Sequence, residues 1–167
     1  ENKLGGASIS GAMTSGKFSQ YLSLGRHISD GYRFNTDYDI ANYLYQSEYK
    51  IDPTQKLEFL ATFTERKFGA NRFYGGTSEF WQDQYEEVQT SLLNVGYKKV
   101  RDNFSLNTRI NWRRNQDEYL LIRNDPNFYR NLHISNVINL ESHANFYSKA
   151  GTTGIGVELS QMYLRSN

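Results

Sequence analysis

Alternation of polar and apolar side chains runs through most of the chain and limits what it can fold into. Helical spacing of apolar residues is nowhere sustained. The clearest alternating run is Phe104–Asn115, in which Phe104, Leu106, Thr108, Ile110 and Trp112 alternate with Ser105, Asn107, Arg109, Asn111 and Arg113. Successive side chains of a β-strand point to opposite faces, so this pattern predicts strands with one apolar and one polar face. The sequence therefore predicts an all-β fold.

Eight such runs are separated by connections that are alternately short and long. The predicted strands are Ala7–Met13, Phe18–Ser29, Ile40–Ile51, Lys56–Arg66, Glu87–Lys98, Phe104–Asn115, Asn131–Ser148 and Gly154–Arg165. The long connections are Asp30–Asp39, Lys67–Glu86 and Gln116–Arg130. Every connection is compatible with a hairpin, which predicts an antiparallel up-and-down meander of about eight long strands.

The loop rhythm and the two strand faces favour a segment of a transmembrane β-barrel. Such barrels have strands of about 9–11 residues, short periplasmic turns and longer outer loops. The polar face carries Arg, Glu, Asn and His, as a hydrated lumen does, and the apolar face often ends in aromatic residues, as in a membrane girdle. Alternation by itself leaves open which face is inside, so a soluble β-barrel ligand-binding protein remains the alternative.

Composition and motifs exclude several other classes. The net charge of +1 offers no electrostatic basis for nucleic-acid binding, and the absence of Cys excludes thiol catalysis and Cys-based zinc sites. A mean hydropathy of −0.72 excludes helical membrane spans but not a barrel. No nucleophile elbow, phosphate loop or zinc-protease motif occurs, so we expect neither an enzyme nor a cofactor.

The charged and histidine residues of the polar face suggest no metal or catalytic site. His133 and His143, the closest pair of histidines in sequence, would lie about 33 Å apart along one strand and could not share a metal. Paired acidic and basic residues are interpreted as cross-strand ion pairs on a wet wall or as contacts to a plug. The residues concerned are Arg109, Arg113, Glu48, Glu58, Glu141 and Glu158.

The longest connection, Lys67–Glu86, contains six aromatic residues and three glycines. Connections longer than about 12–15 residues without structure of their own are usually functional or disordered. Disordered segments are poor in aromatic residues, so this composition argues against disorder. We therefore interpret Lys67–Glu86 as a candidate binding loop.

Three segments together resemble a known family. They are Asp30–Tyr38 (DGYRFNTDY), Phe68–Gly76 (FGANRFYGG) and Tyr85–Thr90 (YEEVQT). In this order they resemble the barrel of TonB-dependent outer-membrane receptors, and most closely the cobalamin- and siderophore-receptor-like members of Bacteroidetes-type bacteria. The resemblance is strong from about Ser23 to Thr90 and rests on strand rhythm elsewhere.

The resemblance implies a 22-stranded barrel with an N-terminal plug in the outer membrane of a Gram-negative bacterium. It would import a scarce nutrient, such as a siderophore or cobalamin, with energy relayed through TonB. The implied partners are membrane lipid, the plug and remaining strands of the parent chain, TonB indirectly through the plug, and the nutrient. The chain has no recognisable plug or TonB box, so residues 1–167 are expected to be part of a single barrel domain.

The resemblance and the loop composition together nominate residues for ligand contact. They are Tyr32, Arg33 and Asn35 in one connection, and Phe68, Asn71, Arg72, Phe73 and Tyr74 in the longest. The alternative interpretation is structural. Glycines permit a tight path, aromatic rings pack on neighbouring loops or at the membrane interface, and Asn residues complete turns.

The strand count also bears on whether the barrel is complete. If the short turns are periplasmic, both chain ends lie on the outer side, whereas free-standing bacterial barrels begin and end in the periplasm and commonly finish on an aromatic residue. The last residues here are Arg165, Ser166 and Asn167. We therefore expect consecutive hairpins of a larger barrel. The alternative is a complete eight-stranded outer-membrane barrel with a structural or adhesion role.

Overall fold

The computed structural model describes residues 3–167, except for the side chain of Phe80. It contains eight long β-strands and one short 3-10 helix, Glu79–Gln82. The strands are β1 (Leu4–Ser15), β2 (Phe18–Ser29), β3 (Tyr38–Asp52), β4 (Gln55–Gly69), β5 (Tyr85–Arg101), β6 (Phe104–Leu120), β7 (Arg130–Ser148) and β8 (Gly151–Ser166). Across residues 3–167, no helix is long and apolar enough to cross a bilayer.

The strands form one antiparallel sheet in the order β1 to β8, each pairing with the next along the chain. This confirms the predicted meander of eight strands. Two-residue turns at 16–17, 53–54, 102–103 and 149–150 alternate with connections at 30–37, 70–84 and 121–129. Several predicted strands were too short, most of all at the end of β6, which was predicted to end at Asn115 and ends at Leu120. At that end β6 continues as a regular backbone ladder with both neighbours through polar residues such as Gln116 and Glu118, whose side chains break the apolar alternation.

The sheet is a single open layer without a packed core. The hydrophobic residues buried within the described range are Ala41, Ala70 and Leu120. Strands β1 and β8 make no contact with each other in residues 3–167, and β8 is exposed at every position. The sheet is therefore held by backbone ladders and cross-strand side-chain pairs.

One face of the sheet carries a mainly apolar surface, here called the apolar band, in which a few hydroxyl side chains such as Thr108 and Ser142 bond to each other. On β6 it extends from Phe104 to Trp112, eight residue steps that span about 26 Å. Neighbouring strands continue it through directly paired aromatic residues. Ring centroids are 6.2 Å apart for Tyr43 and Phe63, and 5.2 Å apart for Phe104 and Phe146.

On the same face, next to the long connections, the side chains become charged. Arg26 pairs with Asp39 at 2.5 Å, and Arg130 pairs with Glu118 at 2.6 Å. This set, here called the charged belt, comprises Arg26, Asp39, Glu65, Lys67, Glu87, Gln89, Glu118 and Arg130. The apolar band therefore ends at a similar level on neighbouring strands.

The opposite face is polar, and it carries the three histidines as predicted. Lys56 lies 2.7 Å from Glu48 and 3.0 Å from Glu58, and Lys98 lies 3.0 Å from Glu58. The predicted cross-strand ion pairing is thus confirmed for the two glutamates, with lysines as their partners. Arg109 stands directly opposite Glu141 in the strand register.

One irregularity was not expected from the alternation. The register of β3 and β4 shifts between Lys50 and Asp52, which leaves Ile51 as a bulge residue. The Asp52 carboxylate accepts hydrogen bonds from the backbone N–H and the hydroxyl of Thr54, both at 2.7 Å. This side-chain turn closes the hairpin immediately after the bulge.

Candidate functional site

Arg123 connects the three long connections to one another. Its guanidinium donates two hydrogen bonds to the Asp37 carboxylate, at 2.7 and 2.9 Å, and lies 4.5 Å from the ring centroid of Tyr85. Its backbone N–H donates to the carbonyl of Asp83 at 2.9 Å. Because Asp37, Asp83 and Arg123 belong to different connections, the three segments form one assembly at this end of the sheet.

Asn35 performs a similar linking role, and it has a positive φ of 49°. Its amide nitrogen donates to the carbonyls of Gln82 and Gln84, at 2.8 and 2.5 Å. Gly69 lies so close to Asn35 that a Cβ there would come within 2.6 Å of the Asn35 backbone. The nitrogen of the Asn71 side chain donates to the Phe34 carbonyl at 2.6 Å. The two nominated asparagines therefore join loops.

Residues 70–84 fold back on themselves. The N–H of Ala70 donates to the Gln84 carbonyl at 2.8 Å, and that of Arg72 donates to the Trp81 carbonyl at 2.7 Å. Gly76 has a φ of 95°, and a Cβ at this position would lie 2.1 Å from the Trp81 ring. A side chain at this position would therefore displace the indole from its place in the loop.

Between this folded loop and the polar face lies a cavity of about 560 Å³, here called the aromatic pocket. The loop contributes two of its walls, and β6, β7 and the 121–129 connection contribute the rest. Its lining residues are Tyr74, Trp81, Asp117, Tyr119, Leu121, Tyr129, Asn131 and His133. Aromatic walls with a few polar groups are typical of small-molecule sites.

The tyrosine rings of the pocket stand nearly perpendicular to one another. The Tyr74 and Tyr119 centroids are 5.2 Å apart with an interplanar angle of 83°, and those of Tyr119 and Tyr129 are 6.2 Å apart at 73°. Edge-to-face pairs of this kind are favourable contacts between aromatic rings. The three rings therefore support each other around a corner of the cavity.

Buried polar groups hold these rings in place. Gln84 is fully buried; its amide nitrogen donates to the Tyr119 hydroxyl at 2.8 Å, and its side-chain oxygen accepts from the Tyr74 N–H at 3.3 Å. The Tyr74 hydroxyl donates to the Glu86 carboxylate at 2.7 Å. Because buried polar groups are costly when unsatisfied, this network strongly favours one arrangement of the loop.

The pocket has an acidic electrostatic character. Burial raises the pKa of the Glu86 carboxyl, and the charge of Asp117 raises it further. Burial also raises the pKa of the Tyr74 hydroxyl, with the hydrogen bond to Glu86 and the nearby carboxylates adding to the effect. Asp117 contributes the carboxylate of the lining, and neither Lys nor Arg occurs among the lining residues that the structure describes.

Of the nominated ligand residues, Tyr74 is the one that lines this pocket. Phe73 and Tyr32 are 73% and 72% exposed at the loop surface. Arg33 lies over the Tyr32 ring at 5.3 Å, and its backbone N–H donates to the Thr36 hydroxyl at 3.3 Å. These three residues are accessible from solvent but do not converge on a cavity.

The other two nominated side chains do not line the pocket. Phe68 belongs to β4, where it pairs with Glu86 on the polar face, so its placement in a loop was wrong. Arg72 has a positive φ of 56°, and its backbone N–H helps fold the loop. The predicted boundary failed because the β4–β5 ladder continues beyond the apolar alternation.

Most of the pocket residues were not nominated from the sequence. A usable signal was present in the two-residue turn at 102–103, because counting outward from it places Tyr119 opposite Glu86. Continuing across to β7 requires the register over the 121–129 connection, which places Asn131 opposite Tyr119 and His133 opposite Asp117. No local sequence pattern predicts the register between β6 and β7.

Within residues 3–167, no group of three or more His, Cys, Asp or Glu side chains is arranged to hold a metal ion. A scan against models of protein families finds no match to the chain, and a search of curated proteins also finds none.

Proposed function

We propose that this chain is a wall segment of a transmembrane β-barrel in the outer membrane of a Gram-negative bacterium. The barrel would belong to a TonB-dependent receptor that takes up a scarce nutrient, such as a siderophore or cobalamin. The observation that carries the proposal is the apolar band, about 26 Å long along β6 and followed on the same face by the charged belt.

The apolar band is difficult to reconcile with a water-soluble protein. Ile110, Ile138 and Leu159 are 52%, 51% and 61% exposed, and the described part of the sheet has no second layer to cover them. Contiguous exposed apolar surface of this kind marks a binding or membrane surface. The nine residues of the band on β6, Phe104–Trp112, match the 9–11 residues that a tilted strand needs to cross the hydrocarbon.

If the apolar band faces the lipid hydrocarbon, the polar face lines the hydrated lumen of the barrel. The long connections stand above the charged belt, and residues 70–84 fold toward the polar face. A nutrient arriving from outside would meet these loops first. Binding would then come from aromatic and hydrogen-bonding side chains on loops that a rigid wall positions.

The two sheet edges favour a segment over a complete eight-stranded barrel. Unpaired backbone groups are not tolerated in the hydrocarbon region, so β1 and β8 each need a further partner strand. A complete barrel of eight strands would require β1 to pair with β8, and within residues 3–167 these strands do not touch. The proposal assigns the missing partners to other strands of the same receptor.

Spin labels on adjacent residues of β6 test this proposal. The chain has no cysteine, so Ile110→Cys and Asn111→Cys can be labelled singly in the full gene product, with any cysteines outside these residues replaced. After reconstitution into lipid vesicles, we expect the label at 110 to collide with dissolved oxygen from the bilayer. The matched label at 111 should collide with a water-soluble nickel chelate instead.

Labels at Thr108→Cys and Trp112→Cys should follow position 110, because these residues share its face. Equal accessibility of positions 110 and 111 to the nickel chelate would overturn the proposal. So would lipid exposure of position 111 with water exposure of position 110, since the sheet would then present its polar face to the bilayer.

A further inference from the structure

We propose that the aromatic pocket binds an organic cation, namely an alkylated ammonium group carried by the ligand. The assignment of that cation as the imported nutrient rests on the proposed receptor function. The binding itself rests on the pocket, whose tyrosine rings, indole and single lining carboxylate lie within one 560 Å³ cavity.

The aromatic walls are of the kind that recognises such cations. The negative face of an aromatic ring attracts a cation within about 6 Å, and cages of several rings are a recurring site for quaternary ammonium groups. Tyr119 stands at the centre of this arrangement, with Tyr74 and Tyr129 on either side at angles of 83° and 73°. Trp81 contributes a further wall from the loop.

The charges around the cavity select the same ligand class. Asp117 lines the cavity, and Glu86 lies behind the Tyr74 ring, where it accepts the hydrogen bond of that hydroxyl. An anionic ligand would meet Asp117 and the negative ring faces without a lining Lys or Arg to offset them in the described part of the chain.

The site is also preorganised. The fully buried Gln84 bonds the Tyr119 hydroxyl and the Tyr74 backbone N–H, and Glu86 accepts from the Tyr74 hydroxyl. Little ordering of these two rings is therefore left for the ligand to impose. A preorganised cage retains more of its gross interaction free energy as affinity. Asn131 and His133 line the same cavity and offer hydrogen bonds to polar groups attached to the cation.

A neutral sugar is the closest competing ligand, because it also stacks on aromatic rings and bonds to amide side chains. Asp117 would attract a cation by its charge, whereas it would accept hydrogen bonds from the hydroxyls of a sugar. Asp117→Asn therefore weakens either ligand. A charged probe and an uncharged probe of the same shape separate the two ligand classes.

Choline and its uncharged isostere 3,3-dimethylbutan-1-ol provide a matched pair of probes, since they differ in the replacement of N⁺ by carbon. The measurement is the fluorescence of Trp81 in detergent-solubilised full gene product carrying Trp112→Phe, with any other tryptophans replaced. We expect saturable binding of choline, and at least tenfold weaker binding of the isostere. Maltose is titrated in parallel.

The variants identify the groups responsible. Asp117→Asn should weaken choline binding about tenfold and leave the isostere unchanged, and Tyr129→Leu, at an exposed ring, should also weaken choline. Glu118→Gln is the matched control, because Glu118 neighbours Asp117 on the opposite face and should have no effect. Circular dichroism establishes that each variant retains its strands.

Equal affinity for choline and the isostere, or no saturation by choline in the folded protein, would overturn the proposal. Saturable binding of maltose without binding of choline would overturn it in favour of a sugar site. Because the titration is made in detergent, its outcome is independent of the spin-label test. If the labels on β6 show no lipid exposure but choline still binds, the proposed receptor function is contradicted and the cation site stands.

Discussion

The two ends of the sheet are held together in different ways. At one end, turns of two residues close four hairpins, and exposed or half-exposed ion pairs such as that of Lys56 with Glu48 lie beside them. At the other end, three separate connections are joined by Arg123, Asn35 and the buried Gln84. The long-connection end is thus organised like a small polar core, although the sheet below it has none. Such ordering of long loops is expected where a surface must keep a defined binding shape.

Among the substitutions considered, replacing Arg123 should destabilise the long-connection end most. Arg123→Ala removes a bidentate ion pair with Asp37 and the contact with Tyr85, so we expect a loss of about 2–3 kcal/mol in the free energy of unfolding. Hydrogen exchange should increase in residues 30–37, 70–84 and 121–129 together. Arg130→Ala is the matched control, because its pair with Glu118 is a single hydrogen-bonded ion pair in the half-buried charged belt, worth at most about 1 kcal/mol. Faster exchange in one connection alone would contradict the joint assembly.

Replacing Gln84 should cause the second largest loss of unfolding free energy. Gln84→Leu leaves the Tyr119 hydroxyl and the Tyr74 N–H without their partner, at a cost of about 1–2 kcal/mol in unfolding free energy. Gln89→Leu is the control, since Gln89 makes its hydrogen bonds within the half-buried charged belt. Denaturant titration compares the two variants, and equal losses would show that the long-connection end has no special packing.

Glu86 should make stability depend on pH. Its pKa is raised above the ordinary value of 4.5 by burial, so the folded state disfavours the carboxylate. The stability associated with the protonated form is fully present below the unfolded pKa and is lost as the pH rises through the folded pKa. We expect Glu86→Gln to become more stable relative to the parent protein as the pH rises from 4 through this range.

Thermal unfolding at a series of pH values measures that difference. Glu87→Gln is the control, because Glu87 adjoins Glu86 but lies on the opposite face, in the charged belt. The comparison of the two variants isolates the contribution of the Glu86 carboxyl. A constant difference between Glu86→Gln and the parent protein at all pH values would contradict the assigned pKa shift.

The smallest effect is expected at the turn end. Lys56→Gln removes ion pairs with Glu48 and Glu58 but keeps a side chain able to hydrogen-bond, so the change should be below about 1 kcal/mol. Denaturant titration in high and low salt measures it. A loss as large as that of Arg123→Ala would show that both ends of the sheet are held equally, and would remove the contrast.

The alternating pattern was sufficient to predict much of the fold. It assigned Ile110 and Asn111 to opposite faces, placed the eight strands in one meander and put the histidines on the polar face. It failed at the ends of β4 and β6, where charged side chains such as Lys67 and Glu118 stand on the otherwise apolar face. It also failed for most of the pocket. Tyr119 and Tyr129 have no local signature that separates a pocket wall from an interfacial aromatic residue.

What the sequence alone determined is the local part of the fold. Apolar periodicity sets the face of each side chain, and the regular two-residue turns set the register of β1 with β2, β5 with β6 and β7 with β8. What only the tertiary structure decided is the register across the long connections, and with it the aromatic pocket. Those connections close by contacts between distant residues, such as Arg123 with Asp37, whose pairing is set by three-dimensional packing and leaves no periodic trace in the chain.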